Sequence, residues 1–155
     1  QEEAVEYHTS IELDLPRDRV IELFDDPANL PKWQKGLQSF EPVSGTPGQE
    51  GAKSRLVFDM RGSKMEMIET ITRRDLPEAF DGTYEARGVF NRVENRFTEL
   101  PGGRTLWESY NVFEFAGFMK LIGWLMPGSF RRQSLKYMED FKAFVERGVD
   151  VRNAD

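Results

Sequence analysis

The chain has 155 residues, enough for one domain with a real core, and a formal net charge of −6. It has no Cys and one His, His8, which excludes disulfides, Cys nucleophiles and zinc sites of the usual His/Cys kind, and no EF-hand spacing is present. The acidic balance argues against a nucleic-acid partner, because phosphate binding calls for a basic face; Arg73-Arg74 and Arg131-Arg132 read as solvated pairs among acidic residues.

Ala4 to Asp14 alternates apolar and polar residues. Val5, Tyr7, Thr9, Ile11 and Leu13 share one face and His8 falls on the other, which predicts a strand with one buried side. A short helix follows. Pro16 suits its first position, Asp18 suits the positive end of its dipole, and Val20, Leu23 and Phe24 form its apolar stripe. Asp26-Pro27 stops it, and a second short helical piece is expected from Asn29 to Trp33.

Gly45 to Gly51 carries three glycines without the spacing of a phosphate loop, so it reads as a connection between strands. Residues 53 to 115 read as strands joined by tight turns. A Gly62-Ser63 turn sets Met60 opposite Met65, Phe58 opposite Met67, Leu56 opposite Glu69 and Arg55 opposite Thr70. An Arg87-Gly88 turn sets Tyr84 opposite Asn91 and Phe80 opposite Asn95. A Pro101-Gly102-Gly103 turn sets Phe97 opposite Trp107, Asn95 opposite Ser109 and Val93 opposite Asn111. In all three hairpins apolar residues meet on one face and most charges go to the other, an agreement that a one-residue slip would destroy.

Phe115 to Met126 is apolar almost all round, with Lys120 the exception. As a helix it would be buried, close a cavity mouth, or dock on a membrane or partner. Pro127-Gly128 breaks it. The final helix then places Phe130, Ser134, Tyr137, Met138, Phe141, Phe144 and Val145 on one stripe, with Lys136, Asp140 and Glu146 outside it. Only a broad concave surface accepts such a stripe, and the meander supplies one.

The expectation is an α+β domain over residues 4–147: a curved seven-stranded antiparallel sheet wrapped round a long C-terminal helix, with two short helices after the first strand and tails at 1–3 and 148–155. This order resembles the helix-grip (SRPBCC) superfamily of START domains, the birch pollen allergen, coenzyme Q-binding proteins and polyketide cyclase/dehydratase-like proteins, the last two being the branches it is most similar to. The residues that carry the resemblance are Pro16, Val20 and Phe24, then Asp26-x-x-Asn29-x-x-x-Trp33, Gly45, Gly48, Gly51, Gly103-Arg104-Thr105 and the terminal helix. The resemblance implies an apolar ligand held between sheet and helix. It brings no catalytic motif, and the Rieske oxygenase branch would need more metal ligands than one His supplies.

The expected ligand-facing set is Leu56, Phe58, Met60, Met65, Met67, Tyr84, Val93, Phe97, Trp107, Phe113, Met138 and Phe141, interrupted by Glu69, Asn91, Asn95, Ser109 and Asn111. Those amides either face a ligand or bond each other and nearby backbone. Glu69 is the candidate general acid/base: a carboxylate beside Met65, Met67 and Ile71 must pair, protonate or reach water, and its expected partner is a ligand polar group, Tyr84 or one of the asparagines. Phe118, Ile122, Trp124 and Leu125 are the candidate lid. Three functions fit: a carrier for a lipid, isoprenoid or aromatic molecule; a cyclase/dehydratase using Glu69; or a protein-interaction module with a filled core.

No cofactor or metal is expected, and no transmembrane segment, though transient membrane contact is open. The residues leave the oligomeric state undetermined. A Cys-free chain without a visible secretory signal fits the cytoplasm, and the start at Gln1 reads as trimmed or engineered.

Overall fold

The computed structural model describes residues 4–153. Strand β1 (Ala4–Leu13) leads into α1 (Arg17–Phe24), a 3-10 turn (Pro27–Asn29) and α2 (Leu30–Trp33). Six strands follow: β2 (Leu37–Ser44), β3 (Lys53–Met60), β4 (Ser63–Asp75), β5 (Ala79–Ala86), β6 (Val89–Leu100) and β7 (Arg104–Phe115). Helices α3 (Met119–Leu125) and α4 (Pro127–Arg147) complete the chain. The strands form one antiparallel sheet in the order β1-β7-β6-β5-β4-β3-β2, a continuous meander closed at its far edge by the first strand.

The local starts and stops have ordinary causes. Pro16 stands just before the first helical residue rather than at it, and Asp26 caps the 3-10 turn by accepting from the Ala28 N–H at 3.0 Å. At its other end α4 stops on Gly148, whose φ of 69° only glycine adopts readily. The expected tail at residues 1–3 lies outside the described residues. Beyond α4 the chain is not free: Val151 is buried, and its N–H donates to the Lys32 carbonyl at 2.9 Å.

Two of the three predicted hairpins have the expected pairing. Tyr84 faces Asn91 and Phe80 faces Asn95 across β5 and β6; Phe97 faces Trp107 and Asn95 faces Ser109 across β6 and β7. The first hairpin is displaced. Its two turn residues are Arg61 and Gly62, with φ of 58° and 88°, so Met60 pairs with Ser63, Phe58 with Met65, Leu56 with Met67 and Arg55 with Ile68. Glu69 therefore sits opposite Ser54 instead of Leu56. Moving the turn by one residue shifts the register by two, which keeps every side chain on its predicted face.

The core lies at one end of the cup. Leu13, Val20, Trp33, Phe97, Trp107, Met138 and Phe141 form it, and Phe24 stands at its centre, 5.0 Å from the Phe97 ring and 5.6 Å from Trp107. A second cluster of Leu37, Leu56 and Phe58 takes in Met65, Met67 and Tyr84 from β4 and β5. Helix α4 lies over β1 and α2 more closely than over β3, β4 or β5. Asp140, expected outside the helix stripe, is buried, and Lys136 one turn earlier reaches it at 2.9 Å. The ammonium pairs with this carboxylate and still reaches water, so the buried charge is not left alone.

Candidate functional site

The registers place the polar residues of the inner face in rows. One row runs Ser54, Glu69, Tyr84, Asn91, Phe113 and Val5 across six strands. The next runs Ile71, Gly82, Val93, Asn111 and Tyr7, and a third runs Phe80, Asn95, Ser109 and Thr9. Cross-strand neighbours are about 5 Å apart at Cβ, close enough for direct side-chain contact.

Glu69 and Tyr84 meet. The Tyr84 hydroxyl donates to Glu69 Oε2 at 2.8 Å, and both side chains are partly buried. Loss of water pushes the Glu69 carboxyl above its ordinary range, against the opposing pull of the Tyr84 hydrogen bond. Desolvation and the neighbouring carboxylate raise the Tyr84 phenol well above 10.0, so it stays a donor. The pair is thus a carboxyl that holds its proton more tightly than usual, beside a phenol that does not ionise.

Asn91, Asn111 and Ser109 form a second group. Asn91 Nδ2 donates to Asn111 Oδ1 at 3.3 Å and to the Val112 carbonyl at 3.2 Å, and Asn111 Nδ2 donates to Ser109 Oγ at 3.1 Å. Asn95 does not join it. Its Oδ1 accepts from the buried Trp107 Nε1 at 2.9 Å and its Nδ2 donates to the Phe80 carbonyl at 3.1 Å, so this amide is spent on the core.

The ligand-facing set expected from the sequence divides into two. Phe97, Trp107, Met138 and Phe141 are enclosed in the closed end, and Leu56 and Phe58 are also buried. Met65, Met67, Glu69, Tyr84, Asn91, Val93 and Phe113 keep accessible surface on the inner face. Met60, expected inside, is 41% exposed because the shifted turn leaves it at the strand end. The candidate lid is also exposed: Phe118 at 76%, Trp124 at 68%, and Leu125 more than half, with Ile122 half-buried. Helix α3 seats instead through its small residue, since a Cβ on Gly123 would lie 2.4 Å from the Phe115 ring.

Sequence reasoning missed Tyr7, Thr9 and Ser134 as polar members of this space. Tyr7 Oη shares a 2.7 Å hydrogen bond with Ser134 of α4 and donates to the Phe130 carbonyl at 3.1 Å. Burial pushes its phenol up to about 12. Thr9 Oγ1 is buried with no hydrogen-bond partner among the described residues. The inward alternation of the first strand already marked both Tyr7 and Thr9; their polarity was the unused signal. Where the Arg87-Gly88 turn meets the link into α3, an open cleft of about 570 Å³ is lined by Arg87, Gly88, Ala116, Gly117, Phe118 and Met119.

Among solved structures the chain is similar to Ara h 8.0201, at 14% identity and TM-score 0.74, over 92% of this chain and 98% of that one. It is also similar to the Zhui aromatase/cyclase from Streptomyces sp. R1128, at 16% identity and TM-score 0.73, over 99% and 100% of the two chains. A conserved protein from Geobacillus kaustophilus matches at 19% identity and TM-score 0.74, over 93% and 97%. At these identities the likeness establishes the fold alone. No curated protein matches by sequence. A family model described as polyketide cyclase / dehydrase and lipid transport matches residues 4–146. The chain belongs to that family, within the helix-grip superfamily.

Proposed function

We propose that the chain binds an apolar small molecule with one polar end in the open part of the space between sheet and α4. Met65, Met67, Val93 and Phe113 would hold its apolar body. Glu69 and Tyr84 would meet its polar end, and Asn91 stands next in the same row. The observation that carries this reading is the Glu69–Tyr84 hydrogen bond beside the apolar cluster of Leu56, Phe58, Met65 and Met67. A few convergent polar groups in an apolar setting give a ligand its orientation. Both the family description and the open inner faces of β4 to β6 support the reading. Native mass spectrometry after gentle purification tests it. A retained apolar mass, lost on Tyr84→Phe with Glu69→Leu in one chain, is expected. A chain that arrives empty and takes up no fatty acid, isoprenoid or polyphenol probe would count against it.

A second reading rests on the raised carboxyl. A carboxyl that holds its proton more tightly than usual can protonate a leaving oxygen, or take a proton once ionised, as a cyclase or dehydratase acting on a polyketide-like molecule requires. Glu69→Gln separates the two readings: it keeps the acceptor for Tyr84 and the binding, and it removes turnover.

A further inference from the structure

Helix α3 turns four large residues outward, while Met119, Ile122 and Gly123 are on its less exposed side. Phe118, Leu121, Trp124 and Leu125 fall within about a third of the circumference and are all exposed, while Gly123 rests on the Phe115 ring. Met126 extends the exposed apolar surface at the C-terminal end. An arrangement chosen for core packing would have the opposite polarity.

The stretch of chain that carries this face holds charges of one sign, between Glu114 and Glu139. From Phe115 to Met138 there is no Asp or Glu, and Lys120, Arg131, Arg132 and Lys136 give four cations in a chain of net charge −6. Arg131 and Arg132, read from the sequence as sitting among acidic residues, stand in an acid-free stretch. Lys136 is engaged by Asp140, whereas Lys120, Arg131 and Arg132 are exposed. Arg132 reaches back along α4: a Cβ on Gly128 would lie 3.2 Å from its Nη1, next to the end of α3. Arg87 is exposed on the other side, in the cleft that Phe118 and Met119 line.

We propose that α3 is a docking element for an anionic lipid surface, with Phe118, Leu121, Trp124 and Leu125 entering the interface and Lys120, Arg131 and Arg132 meeting the headgroups. Aromatic and leucine side chains flanked by cations suit the boundary between headgroups and acyl chains. No helix among the described residues is long and apolar enough to cross a membrane, so the contact is with one leaflet. A second copy of the chain is a poorer occupant, because a two-fold contact through this face would bring two sets of Lys120, Arg131 and Arg132 together. The inference does not depend on the binding of a small molecule.

Tryptophan fluorescence offers a direct readout. Trp33 and Trp107 are already in the core at 4% and 5% exposure, so any blue shift on adding vesicles comes from Trp124. The purified chain is mixed with vesicles of phosphatidylcholine, with or without about one-third phosphatidylserine. Co-flotation and a blue shift with the anionic vesicles alone are expected, both weakened by salt. Lys120→Gln, Arg131→Gln and Arg132→Gln should each weaken binding about fivefold. Trp124→Ser should weaken it about tenfold or more with an unchanged unfolding curve. No flotation at low salt, equal binding to both vesicles, or a dimer that Trp124→Ser dissociates would each overturn the proposal.

Discussion

A carboxyl group on the same sheet face as Met65, Met67 and Ile71 loses water when the chain folds, and the Tyr84 hydrogen bond restores only part of what is lost. The consequence for stability has a definite sign. Below the ordinary carboxyl value of 4.5, Glu69 is protonated in both folded and unfolded chains and has no pH-dependent effect. As pH rises past that value the unfolded chain gives up the proton first, while the folded chain keeps it until its raised value is reached. The folded state therefore loses stability across that window and stays less stable above it. Glu69→Gln cannot ionise and still accepts from Tyr84. Urea unfolding of both chains at about pH 4 and about pH 8 should show the variant gaining on the parent as pH rises; a difference that does not change with pH would mean that Glu69 is hydrated like a surface carboxylate. The presence of Glu69 on the inner face was legible from alternation alone. Its partner was legible only as one of several, because Tyr84 comes from the next hairpin and its place beside Glu69 depends on the pairing of β4 with β5. Asn95 was legible as inward-facing but not as a core residue, since nothing in the spacing says that the Trp107 indole N–H needs its oxygen.

At the scale of elements, the misplaced turn shows which information tight turns carry. Gly62 was read as the first turn residue because glycine tolerates positive φ, yet it is the second, and Arg61 adopts a left-handed φ of 58° ahead of it. A two-residue turn of this kind needs positive φ at both positions, which Asn-Gly provides far better than Arg-Gly. The strands on either side overrule the preference of Arg61, since Leu56 meets Met67 and Phe58 meets Met65 only in this register. Arg61→Asn should then stabilise the chain by about 0.5–1 kcal/mol, by relieving the left-handed cost without touching the core. The check is an increase in the urea midpoint with an unchanged slope. A decrease would mean that the Arg61 side chain makes a contact that outweighs its backbone strain. The same lesson applies to α3: its composition predicted a helix and did not reveal which side faces in, because the run is apolar on nearly every side. The seat of Gly123 on Phe115 decides it, and that contact joins two elements whose adjacency no periodicity records.

Across the whole molecule, the cup is closed at one end and open at the other. The stripe on α4 told which of its residues face inward, but not how near the helix lies to each strand. Helix α1 and α2 fill the closed end, bringing Val20, Phe24 and Trp33 onto Phe97, Trp107 and Phe141. No such plug reaches β4 and β5, where Met67 and Tyr84 stay partly accessible. The two ends should therefore respond differently to truncation. Phe141→Ala removes a fully enclosed ring that touches Phe24, Trp33 and Trp107, and should cost about 3–5 kcal/mol as a cavity among side chains that cannot collapse. Met67→Ala removes a flexible side chain from a surface that solvent already reaches, and should cost about 1 kcal/mol. Its effect should appear instead in the ligand: a wider groove should shift the bound mass toward bulkier molecules in native mass spectrometry, whereas any Phe141→Ala chain that still folds should retain the parental mass. Urea unfolding supplies the stability half of the comparison. Equal losses of stability in the two variants would mean that the inner face is filled along its whole length, and the groove would then have no room for an occupant.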